Sequence, residues 1–239
     1  MGAYVVGVDG CHSGWLTCRY EIHTRQVIFR IVQRFDEVLR IYKTAKFIAV
    51  DIPIGLWSDG QHRWCDIETR RLLAPHRSSS VFPAPCRTLL DIQSYADACE
   101  TSRKRFGMGI SKQSYAIYPK VAEVDRLISP KLQQRVFEVH PELCFWSINN
   151  RRALLNNKRT REGYEERRLL LNKVFEIQFP DSQSWRSIFP NGPVDANRDD
   201  VLDAAAAAHT GYRTFLGKAE RLPQQTAIDE RGLRMEILY

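Results

Sequence analysis

Runs of apolar and alternating positions predict most of the elements. Tyr4-Val5-Val6-Gly7-Val8 is an unbroken apolar stretch that ends in Asp9-Gly10. That is the pattern of a buried strand delivering a carboxylate to its C-terminal end. A polar turn comes next, Cys11-His12-Ser13-Gly14, and then Leu16, Cys18, Tyr20 and Ile22 alternate with Trp15, Thr17, Arg19 and Glu21. This period of two reads as a strand with one wet face. Thr24-Arg25 turns the chain into a third strand over Gln26 to Val32, and connections this short imply an antiparallel meander. Phe35, Val38, Leu39 and Tyr42 recur at helical spacing. Lys46-Phe47-Ile48-Ala49-Val50-Asp51 reads as a central parallel strand that also ends in an aspartate, with Pro53 stopping the ladder. A crossover of this kind sets strand four beside strand one, with Asp9 and Asp51 at the same sheet edge.

Residues 55 to about 133 read as a mostly helical insertion into a single domain spanning 1–239. Cys65 to Leu73 and Ile92 to Phe106 are its expected helices. Gly107 to Gln113 breaks the second, and Ser111 is placed to cap the next helix. A fifth strand is expected over Gln134 to Val139, carrying Glu138, with His140-Pro141-Glu142 directly after it. Arg151 to Arg168 is rich in Lys and Arg, and its helix is expected to begin at Thr160. Asp199-Asp200-Val201-Leu202-Asp203 opens the last long helix. Asp200 and Asp203 share one face, and Ala204 to Ala208 are small enough for the helix to lie close on a sheet. In the tail, only Leu233–Leu238 reads as a strand, at an edge. The fold class is therefore α/β, a mixed sheet of three antiparallel strands and then parallel ones, with helices on both faces.

Composition narrows this picture little. Hydrophobic residues make up 44% of the chain and charged residues 26%, ordinary values for a globular domain. Lys and Arg number 35 against 28 acids, a net charge of +7 that admits a polyanionic partner such as nucleic acid without requiring one. Met1-Gly2-Ala3-Tyr4 has no basic flank and runs straight into a strand, so no signal peptide is expected, and no apolar run has the length of a membrane span. The six cysteines are scattered without a C-x-x-C pair. A reduced, cytoplasmic protein that does not engage a membrane is the expectation.

Two carboxylates at one sheet edge repel each other unless a cation lies between them, and oxygen ligands of this kind suit Mg²⁺ or Mn²⁺. Asp9 also reads as a turn cap, since Asp-Gly is a common turn signal. Arg77, with the hydroxyls of Ser78, Ser79 and Ser80 after it between Pro75 and Pro83, suits phosphate and reads equally as a solvated connector. Lys112 and Lys158 each stand near the start of an expected helix, where an anion contact and plain solvation are both open. His140 is open to a metal-ligand reading, but a single His in a turn reads more readily as a hydrogen-bonding residue.

Seven stretches resemble the family called domain of unknown function 429, described as predicted nucleases with a ribonuclease H-like fold. They are VVGVDGCHSGWL at Val5–Leu16, AVDIPIGL at Ala49–Leu56, RSSSVFPAP at Arg77–Pro85, ISKQSYAIY at Ile110–Tyr118, VFEVHPEL at Val136–Leu143, KRTREG at Lys158–Gly163 and DDVLDAA at Asp199–Ala205. The Holliday-junction resolvase branch of the wider superfamily places acids on strand one, on strand four and in an Asp-x-x-Asp on the last helix, and Asp9, Asp51, Asp200 and Asp203 match these positions. Glu138 belongs to the family stretch but not to that minimal set. The long insertion departs from the resolvases.

The resemblance implies a metal-dependent phosphodiesterase, expected to be a nuclease. Two Mg²⁺ or Mn²⁺ ions would be held by Asp9, Asp51, Asp200 and Asp203, with Glu138 as a further catalytic acid. Arg77, Ser78, Ser79, Lys112 and Lys158 would bind the substrate phosphate. Two rivals stand beside this reading. One is a nucleic-acid-binding protein without catalysis. The other is phosphoryl transfer on an actin-like ATPase scaffold, which normally needs two such lobes and a Gly-rich phosphate hairpin.

Overall fold

β1 (Tyr4–Cys11) is the centre of a five-stranded sheet ordered β3-β2-β1-β4-β5. The computed structural model describes residues 2–189 and 195–239. β2 (Gly14–Glu21) and β3 (Val27–Val32) extend the sheet antiparallel on one side of β1. β4 (Ile48–Val50) and β5 (Val136–Glu138) extend it parallel on the other, after the crossover through α1 (Phe35–Ile41). The mixed sheet is thus the one expected. β1 runs one residue further than its apolar pattern, because the β1–β2 turn is tight: Cys11 pairs with Gly14. Gly14 has φ +138°, and a Cβ there would lie 2.2 Å from the Val32 carbonyl oxygen, so the turn demands glycine.

Helices cover both faces. α8 (Arg198–Phe215) lies on one face with α7 (Arg161–Phe175) beside it, over Val5, Leu16, Cys18 and Ala49. The approach is close enough that a Cβ on Gly7 would fall 2.0 Å from the Ala204 carbonyl oxygen, and the run Ala204–Ala208 is fully buried against the sheet. The other face packs Val6, Val8, Ile48 and Val50 against α1 and α5 (Tyr118–Leu127). Glu123 of α5 accepts the Trp15 indole N–H at 3.0 Å and the Phe35 backbone N–H, so part of the chain between β4 and β5 is integral to the core. That stretch also holds α2 (Trp64–Leu73), α3 (Tyr95–Phe106) and α4 (Lys112–Ala116). Ser111 caps α4 through the Ser114 N–H, and Thr160 caps α7 through the Gly163 N–H, both as the sequence suggests.

Two elements differ from the sequence reading. The tail forms a hairpin, β6 (Arg221–Ile228) with β7 (Arg234–Leu238), rather than a lone edge strand. β6 carries Pro223 and two glutamines, which hide a strand pattern but are tolerated at an edge. α6 (Pro141–Ile148) comes directly after β5 with proline in its first turn. Its Leu143, Cys144, Phe145 and Trp146 are all buried, so no polar stripe marked it as a helix. No helix among the described residues is long and apolar enough to cross a membrane, and all six cysteines are free and buried.

Candidate active site

Asp9 and Asp51 leave the sheet side by side. Val8 stands opposite Val50 in the parallel ladder, and the Asp51 N–H donates to the Val8 carbonyl at 2.9 Å, one residue beyond β4. Strand alternation puts Gly7 and Asp9, like Ala49 and Asp51, on the face that α8 covers. α8 begins at this edge. Asp200 Oδ2 accepts the Asn197 N–H at 2.7 Å, half of a reciprocal helix cap. Asp203, one turn on, accepts from the Lys158 ammonium at 2.5 Å, and the same ammonium is 3.4 Å from Asp199. Among the described residues, neither Asp9 nor Asp51 accepts a side-chain hydrogen bond.

The electrostatics arise from this crowding. Burial first, then the charges of Asp51, Asp203 and Asp200, push the Asp9 pKa well above the carboxylate range. Burial and Asp203 raise Asp51 to about 8. Burial raises Asp200 to about 6, against the Asn197 hydrogen bond, and raises Asp203 against the pull of Lys158. Burial disfavours the Lys158 charge, but Asp203, Asp9 and Asp199 outweigh it and hold the ammonium firmly protonated.

Of these acids, Asp51 lines a cleft of ≈ 420 Å³, within the usual range for small-ligand sites, and Lys158 lines it beside Asp51. Its wall includes Asp51, Arg63, Arg77, Glu138, His140 and Lys158. Of the expected phosphate-binding residues, Arg77, Ser79 and Lys158 reach this wall, whereas Ser78 does not line it and Lys112 is exposed away from it. Arg77 is already engaged: its Nε donates to the Leu154 carbonyl at 2.8 Å and one amino group to that of Leu155. Lys158 reaches the site as the counter-charge of Asp203.

Glu138 is placed differently from the other acids. It stands opposite Val50, not Asp51, so alternation turns its side chain to the face away from α8. There Arg63 forks onto it, both nitrogens at 2.7 Å, and the Ile54 N–H donates to it at 2.7 Å. Arg63, 3% exposed, also binds Asp66. Burial outweighs the pull of the Arg63 guanidinium and raises Glu138 to about 7; unlike Asp9 and Asp51, however, its two oxygens accept from three donors. Sequence reasoning missed Arg63 and Asp66, as well as Arg167, which is fully buried and donates to Glu142 at 2.6 Å. Among the described residues, the buried Nδ1 of His140 on the cleft wall and the buried Oε2 of Glu142 have no hydrogen-bond partner.

The donor set suits a hard divalent cation, since Asp9 and Asp51 offer carboxylate oxygens without competing donors. The expected two-ion site is nonetheless not preformed. Among the described residues no three His, Cys, Asp or Glu side chains are gathered closely enough to hold an ion. One reason is visible: Lys158 and the helix cap engage Asp203 and Asp200.

No curated protein and no solved structure matches the chain. A family model described as protein of unknown function (DUF429) matches residues 7–228. That span includes Asp9, Asp51, Lys158, Asp200 and Asp203, and the chain belongs to the DUF429 family.

Proposed function

We propose that the protein is a divalent-metal-dependent phosphodiesterase, a nuclease built on a ribonuclease H-like variant of the α/β fold. The observation that carries this reading is the pair Asp9 and Asp51. They share one sheet edge, receive no hydrogen bond among the described residues and face further acids of α8; burial first, and then those charges, raises their pKa values. A protein gains nothing in stability from such a cluster; a site that must attract a divalent cation does. The sheet order, three antiparallel strands then two parallel, supports the scaffold assignment.

Asp9 and Asp51 would hold the metal, with Asp200 and Asp203 completing the donor set. Bound Mg²⁺ or Mn²⁺ supplies Lewis acidity and activates water for attack on phosphorus. Lys158 must release Asp203 for the cluster to accept a cation, and its ammonium then remains on the cleft wall to meet phosphate charge. Arg77 keeps one amino group beyond its carbonyl contacts. Arg159 lines the cleft and also a second depression with Arg186 and Arg198, a basic margin suited to an extended polyanion. Glu138 is read as holding the cleft floor through Arg63 rather than as a metal ligand.

A second reading, nucleic-acid binding without catalysis, is favoured by one observation: Lys158 already neutralises Asp203, so the cluster is partly balanced without metal. The test separates the two. Purified protein is incubated with single- and double-stranded DNA and RNA, with Mg²⁺, Mn²⁺ or chelator. Metal-dependent cleavage that disappears in Asp9→Asn supports the nuclease. Salt-sensitive, metal-independent binding of the same polymers without cleavage supports the passive binder.

A further inference from the structure

The family stretches at Val81–Pro85 and Ile110–Tyr118 contribute little to the acidic cluster, yet together they wall a second cavity of ≈ 220 Å³. Phe82 lines both this cavity and the acidic cleft, so the two spaces adjoin at its ring. The ring is 40% exposed and stacks on no other aromatic side chain among the described residues. Pro83, Ala84, Pro85, Leu89, Met108 and Ile110 add apolar surface.

Two buried hydroxyls face this space. Ser102 of α3 is 2% exposed and Tyr118 at the start of α5 is 4% exposed, and both line the cavity. Neither hydroxyl has a hydrogen-bond partner among the described residues, and neither oxygen is sealed from the cavity, unlike the orphaned His140 Nδ1. A hydroxyl that opens on a cavity without a protein partner keeps both its donor and its acceptor capacity for a ligand. No Asp, Glu, Lys or Arg lines the cavity; Gln61, His62 and the hydroxyls are its polar groups, a lining that suits a neutral ligand part able to donate and accept hydrogen bonds.

We propose that this cavity is the subsite for the planar heterocycle of a nucleotide. The base would stack on Phe82 and bond to the Ser102 and Tyr118 hydroxyls, while its phosphate extends into the adjoining cleft. The assignment of the phosphate end rests on the phosphodiesterase reading; the assignment of the heterocycle rests on the cavity itself. A neutral planar part and an anionic part on opposite sides of one aromatic ring are the two halves of a nucleotide. The volume admits one ring system, so the subsite reads a single base rather than a duplex.

The test is equilibrium titration of the metal-free protein with the 5′-monophosphates of adenosine, guanosine, cytidine and uridine. A Mn²⁺ titration is run in parallel as an independent reporter of the acidic cluster. At least one monophosphate is expected to bind. Phe82→Ala should weaken it by roughly 5- to 150-fold, the range for loss of one base-stacking platform. Ser102→Ala and Tyr118→Phe should each weaken it by roughly 2- to 10-fold, as for loss of one hydrogen bond. Because Phe82 is substantially exposed, its alanine variant keeps the test usable if either hydroxyl variant unfolds. Absence of binding by all four monophosphates, or binding unchanged in all three variants, overturns the proposal. Variant-sensitive nucleotide binding without Mn²⁺ binding leaves the subsite standing and removes the metal site; Mn²⁺ binding without nucleotide binding does the reverse.

Discussion

Two acidic groups meet at the cleft, and they are compensated in opposite ways. Around Arg63, the carboxylates of Glu138 and Asp66 are buried, yet each oxygen pair receives a guanidinium fork at hydrogen-bond distance. Around Lys158, a single ammonium serves Asp203 and Asp199, Asp200 is spent on a helix cap, and Asp9 and Asp51 receive no donor among the described residues. Asp9, Asp200 and Asp203 are as buried as Glu138 and Asp66. What differs is the match between charge and counter-charge, and that is what separates an acid that holds the fold from an acid available to a ligand. A third group, Arg87 with Asp125 and Asp229, shares the Arg63 pattern and ties the tail hairpin to the chain between β4 and β5.

The contrast is broken most directly by removing Arg63. Arg63→Ala leaves Glu138 and Asp66 as buried unpaired charges and is expected to cost about 3–5 kcal/mol in urea unfolding. Arg63→Lys should recover only part, since an ammonium cannot fork onto a carboxylate. A loss below about 1 kcal/mol would place Glu138 with the uncompensated acids. Removing an acid from the other group should act in the opposite direction: Asp51→Asn should stabilise the metal-free protein at pH 8 by about 0.5–2 kcal/mol.

The pH dependence sharpens the same point. The folded pKa values of Asp51, about 8, and Asp200, about 6, lie above the unfolded carboxylate value near 4. The folded state therefore binds more protons in that interval. The stability these groups contribute is fully present below about pH 4 and is lost as pH rises through about 6 to 8. Melting temperature of the metal-free protein should fall across that window, and Asp51→Asn should flatten the fall at its upper end. Lys158→Met removes the resident counter-charge and is expected to tighten Mn²⁺ binding on the order of tenfold by titration, as befits one like charge in a partly buried site. The smallest effect is expected from Arg77→Ala. Loss of its two carbonyl contacts should cost about 1 kcal/mol, with weaker binding of nucleic acid and unchanged Mn²⁺ affinity.

How much of this was legible in the sequence depends on the range over which each signal acts. β1 and β4 announce themselves by apolar runs ending in aspartate, and the crossover rule places them together; the Asp51–Val8 hydrogen bond is that expectation realised. Gly7 and Ala204–Ala208 signalled the close approach of α8 through their size alone. The role of Glu138 was readable only in part. Counting strand parity from Val50 would have turned it away from Asp9, but nothing local marked Arg63, which lies 75 residues distant, as its partner. Arg63 and Asp66, three apart, look like an exposed helical ion pair. Lys158 was expected to meet substrate phosphate, and nothing local marked its partner Asp203, 45 residues away. Composition and period report what a residue is and which face it occupies. They do not report which distant charge it answers.

The measurement that bears most directly on the site is calorimetric titration of Mn²⁺ into wild-type protein and Asp9→Asn at pH 7.5, in two buffers of different ionisation enthalpy. The wild type should bind Mn²⁺ and release protons as it does so, because Asp51, raised to about 8, is held partly protonated without metal, and Asp9→Asn should bind at least an order of magnitude more weakly. No binding by the wild type, or equal binding by both proteins, would contradict the assignment of Asp9 and its neighbours as a metal-dependent centre.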